Sequence, residues 1–280
     1  MIVLLETRDW IALDKPAGLE TIDPDGRASL TTRAREFLGF PTLEPVHRLD
    51  RGTTGATLFA KTPSARERLE GWFRGRRVVK TYLGLCLGVP RGRDGTIRRA
   101  LSDWRGGRRP VWVVKGGGGL RAETRAVRLW PEAYPSGPVD ARDGVLSASL
   151  MVFEPREGRT HQIRVHAEAF GHPLLGDDQY GDRAANRIVR DRFGLRRQAL
   201  HAWRLDTPEG GVESPPPEDF LRVCEGLFPG VLQRIYFPAP SRARKASAAF
   251  KKRPASASAV ACPRASAYTR TMGSVFDERT

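Results

Sequence analysis

One aspartate in this chain stands between arginines. In H-R-L-D-R-G-T-T-G, residues 47–55, Asp50 has Arg48 two positions before it and Arg51 directly after. A carboxylate so placed could be a structural ion pair, a metal ligand, a general base or a nucleophile. An exposed aspartate beside arginines is most often a surface ion pair, but two features favour chemistry. The residues that follow, R-G-T-T-G-A-T-L-F-A-K, predict a turn leading into a buried strand. That sets Asp50 at the end of a rigid element, where sites are usually built. Neighbouring cations also favour the charged form of a carboxylate, so Asp50 is expected to be ionised at neutral pH, as a base or nucleophile must be.

Other chemistries find less support. His161 and His166 are five apart on a predicted helix, so they diverge by about 140° and do not share a face as metal ligands. His47 and Asp50 could add ligands, yet no metal spacing is present, and no metal site is expected. H-R-L-D differs from the kinase H-R-D loop by an inserted leucine, and neither D-F-G nor a glycine-rich loop accompanies it. There is no G-x-S-x-G elbow for a serine hydrolase. Tyr82, in K-T-Y-L-G-L-C-L-G, falls on the same strand face as Lys80 and Gly84, where a packed aromatic is the plain reading. Arg164 alone would be a surface residue. With Arg159, His161 and His166 it makes a predicted cationic cluster near a helix N-terminus, where anions bind well.

The elements that must hold these residues are mixed. Strands are predicted at I-V-L-L-E, W-I-A-L-D, G-A-T-L-F-A-K, V-V-K-T-Y-L-G-L-C-L-G, P-V-W-V-V-K, E-T-R-A-V-R-L-W and L-S-A-S-L-M-V-F-E-P, each rich in β-branched or aromatic residues. Ser29 can cap a helix over L-T-T-R-A-R-E-F-L-G-F, and Thr62-Pro63 can start one over P-S-A-R-E-R-L-E-G-W-F-R-G. R-T-H-Q-I-R-V-H-A-E-A-F-G-H reads as a helix capped by Thr160 and stopped at Gly171, with Ile163, His166, Ala167 and Phe170 on one stripe. Four glycines at 116–119 predict a hairpin tip. The pattern is α+β with a largely antiparallel sheet.

Composition narrows the partner. Of 47 basic residues 40 are arginine, and the net charge is +15. A G+C-rich genome can raise the Arg/Lys ratio but not the excess of bases over acids, so a polyanion such as nucleic acid is the expected partner. From 241 to 280 the chain is Ala, Ser, Arg and Lys with few large apolar residues, and carries nine bases against two acids. Such a segment cannot bury enough surface to order itself, so a disordered basic tail is expected after a folded region of residues 1–240 that is itself at +8. Three scattered cysteines fit neither a disulfide framework nor a metal clip, and M-I-V-L-L-E-T-R-D-W is not read as a signal peptide. No run reaches the roughly 18 apolar residues of a membrane span. A cytoplasmic protein is expected.

In order along residues 8–205, these pieces resemble the RluA-type family of RNA pseudouridine synthases. D-K-P-A-G-L at 14–19 is similar to its first motif. H-R-L-D-R-G-T-T-G-A-T-L-F-A-K-T resembles the second, and V-K-T-Y-L-G-L-C-L-G the segment with its active-site tyrosine. E-G-R-T-H-Q-I-R-V-H-A-E-A-F-G-H-P-L-L-G-D-D-Q-Y-G, residues 157–181, resembles the third. A-L-H-A-W-R-L at 199–205 fits the family's closing strand.

The resemblance implies a bent mixed sheet with a central cleft, and an isomerase that detaches uracil from ribose, rotates it and rejoins it through C5 without cofactor or metal. It places the catalytic carboxylate on Asp50 and its arginine partner on Arg164, with Ile163 as apolar neighbour. Tyr82 would stack on the uracil or move a proton. Arg48 would bind phosphate or fill the space of the displaced base. His47, Arg51, Lys80, Arg159, His161 and Gln162 are the implied RNA contacts. The substrate would be a ribosomal or transfer RNA stem-loop with a flipped-out uridine, and the enzyme a monomer.

Two departures stand out. Thr53-Thr54-Gly55 replaces the usual Thr-Ser-Gly. The ribosomal-protein-like RNA-binding domain that many members carry ahead of this part does not precede it in the sequence, which leaves substrate choice open. The rivals are an inactive RNA-binding protein on the same scaffold and a DNA-binding accessory protein.

Overall fold

The computed structural model describes residues 1–22, 28–103, 111–131 and 146–231, so the basic tail from 241 lies outside the described residues. Their strands form one ten-stranded mixed sheet. Its first half is β1 (Ile2–Glu6), β2 (Trp10–Lys15) and β4 (Thr54–Ala60), with the short β3 (Glu44–Pro45) beside β4. The second half runs β9 (Leu200–Thr207), β5 (Val79–Leu87), β8 (Ala148–Pro155), β7 (Glu123–Trp130) and β6 (Asp94–Arg98), with β10 (Gly210–Glu213) beside β9. Every pairing within the halves is antiparallel. The halves meet in a short parallel contact, where Thr54 faces His201 and Gly55 faces Ala202.

That seam is built by a glycine. Gly55 has φ +116°, and a Cβ there would lie 2.2 Å from the Ala202 carbonyl oxygen. Only a residue without a side chain lets the two backbones approach so closely. All seven residues of β4 are buried, which suits a central strand covered on both faces.

Five helices pack on the sheet among the described residues: α1 (Leu30–Leu38), α2 (Pro63–Arg74), α3 (Gln162–Ala169), α4 (Arg183–Phe193) and α5 (Glu218–Leu227). α1 has the Ser29–Thr32 capping box and ends at left-handed Gly39, and α2 starts at Thr62 with Pro63 inside its first turn. Leu30, Ala34, Leu43 and Phe59 close one core on the first half; Leu85, Val189, Phe220 and Val223 close another on the second. Between them Leu49, Tyr82, Phe153, Ile163 and Ala202 form the floor under the seam. At about 1.5–3 kcal/mol for each large side chain removed from water, this floor holds the two halves' central strands in place.

Two predicted elements differ in the structure. The helix predicted from Thr160 begins at Gln162 instead, because His161 takes a left-handed backbone (φ 55°) and occupies the capping position without a side-chain cap bond. Of P-V-W-V-V-K, the described residues make only an isolated bridge from Val113 to Leu101, which also bridges Leu120. Leu101 thus meets both sides of the glycine turn, and no longer ladder forms. α4, α5, β3, β6 and β10 are additions.

Candidate active site

Asp50 opens a turn in which the Thr53 amide donates to its carbonyl at 2.9 Å, and the chain then enters β4. The turn sits beside the seam and is gripped from behind. The Lys15 ammonium, fully buried, donates to the carbonyls of Pro16 (2.9 Å), Leu19 (2.7 Å) and Arg51 (3.2 Å). Burial pulls its pKa down to about 8, so it stays charged at neutral pH. From the other side the buried Arg197 donates to the Gly52 carbonyl at 3.2 Å, while its Nε and Nη2 each hold Asp219 at 2.7 Å. Gln198 Nε2 donates to the Thr53 hydroxyl at 3.2 Å. Two buried cations therefore fix the carbonyls that follow Asp50.

The side chain of Asp50 faces a cleft of two lobes that share Arg48, Leu49, Asp50, His161 and Arg164. The first lobe has seven Lys or Arg residues against two acids, and Tyr82, Ile163 and Leu200 line it too. The second has five against four. Arg164 brings Nη1 to 3.5 Å from Asp50 Oδ2. The same guanidinium holds the fully buried Asp177 through Nε at 2.7 Å and Nη2 at 2.8 Å. At 3.5 Å the contact with Asp50 is at the edge of a hydrogen bond, whereas the pair with Asp177 is bidentate and short. Arg164 is thus anchored by Asp177 and offers Asp50 one loosely held N–H.

Tyr82 reaches the floor of the first lobe where the β5–β9 register slips between Thr81 and Tyr82. Such slips often aim a side chain beside a site. Burial, then the charge of Asp50, push the Tyr82 phenol well above its ordinary pKa, so it is present as the neutral phenol.

The other predicted site residues are placed as follows. Arg48 is exposed and lines both lobes. Arg51, adjacent to Asp50 in sequence, sends its Nε to the Gly18 carbonyl at 3.0 Å and lines the second lobe. The guanidinium that reaches Asp50 is therefore that of Arg164 rather than of Arg51, because the turn after Asp50 points Arg51 toward Gly18. His47 accepts the Leu58 amide at 3.0 Å, and burial lowers its pKa to about 3. Lys80 donates to the Glu157 carbonyl at 2.7 Å, and burial lowers its pKa to about 8. Arg159 is exposed on the first lobe. Gln162 is buried: its Nε2 donates to the Glu123 carbonyl at 2.9 Å, and its Oε1 accepts the Arg159 amide at 3.1 Å.

Of the predicted cationic cluster, Arg159, His161 and Arg164 line the first lobe together, whereas His166 lies apart from it. His166 is fully buried, bonded to Thr124 Oγ1 at 2.8 Å and the Arg99 carbonyl at 3.0 Å, and burial lowers its pKa. Among the described residues no three His, Cys, Asp or Glu side chains come together as a metal site.

The sequence reading singled out neither Lys15, Asp177 and Tyr180 nor Arg197, Gln198 and Asp219. The first three lie inside the quoted motifs, so a signal was present; the others carry none that spacing could expose.

A family model described as RNA pseudouridylate synthase matches residues 9–169. The chain belongs to the RNA pseudouridylate synthase family. It is 34% identical over 234 residues to the dual-specificity RNA pseudouridine synthase RluA of Yersinia pestis, covering 81% of this chain and 100% of that one. It is 32% identical over 243 residues to the ribosomal large subunit pseudouridine synthase D of Nitrosomonas europaea, covering 80% of this chain but only 64% of that relative's length. Among solved structures, human RNA pseudouridylate synthase domain containing 1 is similar at TM-score 0.58 and 28% identity, covering 80% of this chain and 85% of that one. The α+β fold of the family is therefore the fold of this chain, and Asp50, Tyr82 and Arg164 lie within the residues that the family model matches.

Proposed function

We propose that this protein is an RNA pseudouridine synthase, converting uridine to pseudouridine in structured ribosomal or transfer RNA, with Asp50 as its catalytic carboxylate. The observation that carries this reading is Asp50 itself. It is the carboxylate that both lobes share, at the edge of hydrogen-bond reach of Arg164, in a lobe lined by seven cations and one other acid.

In the reaction the N1–C1′ bond of uridine breaks and a C5–C1′ bond forms. The C5 hydrogen leaves to solvent and N1 gains a proton, so atoms and electrons balance without a redox partner. Asp50 acts as the nucleophile at C1′ or as the base that starts cleavage. Both roles need a charged carboxylate with an uncommitted lone pair, and the long Arg164 contact leaves one. Tyr82, being neutral, stacks on the uracil or donates a hydrogen bond; it does not act as a phenolate base. Ile163 and Leu200 supply apolar walls for the ring. Arg48, Arg51, Lys80 and Arg159 meet phosphates, and the target nucleotide must leave its stack to reach Asp50. The enzyme works as a monomer in the cytoplasm on this reading. Among the described residues no helix is long and apolar enough to cross a membrane.

Tritium release from RNA labelled at uridine C5 tests the proposal. Wild type is expected to release tritium and Asp50→Ala to release none. An Asp50→Ala protein that releases tritium at the wild-type rate overturns the assignment, and RNA binding without release by either points to an inactive scaffold.

A further inference from the structure

His161 and Arg76 are the non-glycine residues with positive φ among the described residues, and both line the cleft. A histidine held near φ 55° is strained, and such strain persists where surrounding contacts impose it, often at functional sites. The contacts here are specific. Val111 donates its amide to the Tyr180 hydroxyl at 2.9 Å, and that hydroxyl lies 2.8 Å from His161 Nδ1. The Tyr180 ring is in turn covered by the Arg164 guanidinium at 4.9 Å, which Asp177 anchors. A phenol has one hydrogen to give. With the Val111 amide already donating to it, the hydroxyl has its own hydrogen to give to His161 Nδ1, the arrangement in which each atom makes one complementary bond. The imidazole proton then sits on Nε2, the nitrogen not committed to Tyr180, on a side chain that lines both lobes beside Asp50.

We infer that Val111 and Tyr180 hold His161 as its Nε2–H tautomer, and that this N–H donates to an oxygen of the nucleotide facing Asp50. Tyr180 is the positioning residue and His161 the contact with substrate. Burial, joined by the cations Arg164 and Arg48, lowers the His161 pKa against the pull of Asp50 and Asp177, so the ring is neutral and has one donor to offer. Burial also keeps the Tyr180 hydroxyl protonated, its pKa pushed up to about 12.

The second half of the inference rests on the pseudouridine synthase reading; the tautomer does not. Long-range proton–nitrogen correlation on the histidine rings, with His161 assigned by its loss in His161→Gln, reads the tautomer directly. The wild type is expected to show Nε2–H and Tyr180→Phe a mixture; Nδ1–H in the wild type overturns the relay.

For the donor, His161→Asn and His161→Gln carry the same amide. Asn tolerates the left-handed backbone but is too short to reach the Nε2 position, whereas Gln reaches it. His161→Asn is expected to lower kcat/KM for tritium release about tenfold or more, with Gln within a few-fold of wild type. Equal loss in both, or no loss in Asn, overturns the donor role. Repeating the comparison on RNA with 2-thiouridine or 4-thiouridine at the target identifies the acceptor. A difference that shrinks with one assigns that carbonyl, and one that survives both assigns a ribose or phosphate oxygen. If the wild type releases no tritium, the enzymatic reading fails on its own. The donor is then read from RNA affinity, which Asn must weaken more than Gln.

Discussion

Arg164 gives two nitrogens to Asp177 at 2.7 and 2.8 Å and one to Asp50 at 3.5 Å, and that ranking decides what each carboxylate is for. Asp177, fully buried, neutralises and aims the guanidinium; Asp50, partly exposed, keeps an oxygen open to the cleft. Asp177→Asn leaves Arg164 with Asp50 as its remaining carboxylate, so the guanidinium closes on Asp50 and occupies the lone pair that the proposed reaction uses. Turnover is expected to fall at least tenfold with KM little changed, alongside a stability loss of about 3 kcal/mol for a broken buried pair. Single-turnover rates and urea unfolding measure the two, and an unchanged rate removes Asp177 from the mechanism. Lys80 supplies a pH dependence. Burial holds its pKa at about 8, below the ordinary 10.5, so the cleft loses this cation as pH rises past 8. RNA binds the charged form better, hence affinity is expected to drop between pH 7 and 9, and Lys80→Arg is expected to flatten that drop. Lys15 titrates over the same range but lies behind the turn and lines neither lobe, so a drop that persists in Lys80→Arg assigns the effect elsewhere.

The seam between the half-sheets is where element geometry becomes site geometry, and two glycines there are not equivalent. A methyl at Gly55 meets the Ala202 carbonyl at 2.2 Å and must adopt φ +116°, so β4 and β9 have to part. A methyl at Gly52 meets the end of the Gln198 side chain, also at 2.2 Å, which can swing aside at the expense of its bond to Thr53. Gly55→Ala is expected to cost about 3 kcal/mol or more and Gly52→Ala about 1, read as shifts in the urea midpoint; the reverse order contradicts the seam. Much of this was legible beforehand. Ser29 and Thr62 cap the helices they were expected to cap, and the run after Asp50 is the buried strand it was predicted to be. Local chemistry writes such features. α4 has an equally clear cap at Asp182 and stop at Gly194, but its sequence is dominated by arginine and its apolar stripe is thin, so periodicity did not reveal it. β6 has one buried residue in five and gives no alternation. The Arg197–Gly52 contact and the pairing of Thr54 with His201 join residues 145 and 147 apart, and nothing near either end specifies the partner. His161's left-handed backbone was equally hidden, and its side chain meets Tyr180, 19 residues away, which Val111 holds in turn.

Across the whole molecule the charge is unevenly placed around Asp50. The chain carries +15, and the residues lining the two lobes are unequal in charge: seven cations to two acids in the first, five to four in the second. A polyanionic strand gains most along the first lobe, so its phosphates are expected to follow Arg156 and Arg159 while the second lobe accommodates bases and sugars. Arg196 provides the contrast, being equally exposed but set in the nearly balanced lobe. Each phosphate contact removed lowers the slope of log affinity against log salt by about 0.7 for single-stranded RNA. Arg156→Gln with Arg159→Gln is therefore expected to reduce the slope by about 1 to 1.5, and Arg196→Gln by less than about 0.5. Filter binding of a uridine-containing stem-loop across a salt series measures both. Equal slope change per charge removed would mean that the strand draws on net charge alone, and a larger change per charge for Arg196→Gln would move the phosphate track to the second lobe, with Tyr82 and Lys80 then on the side away from the incoming backbone.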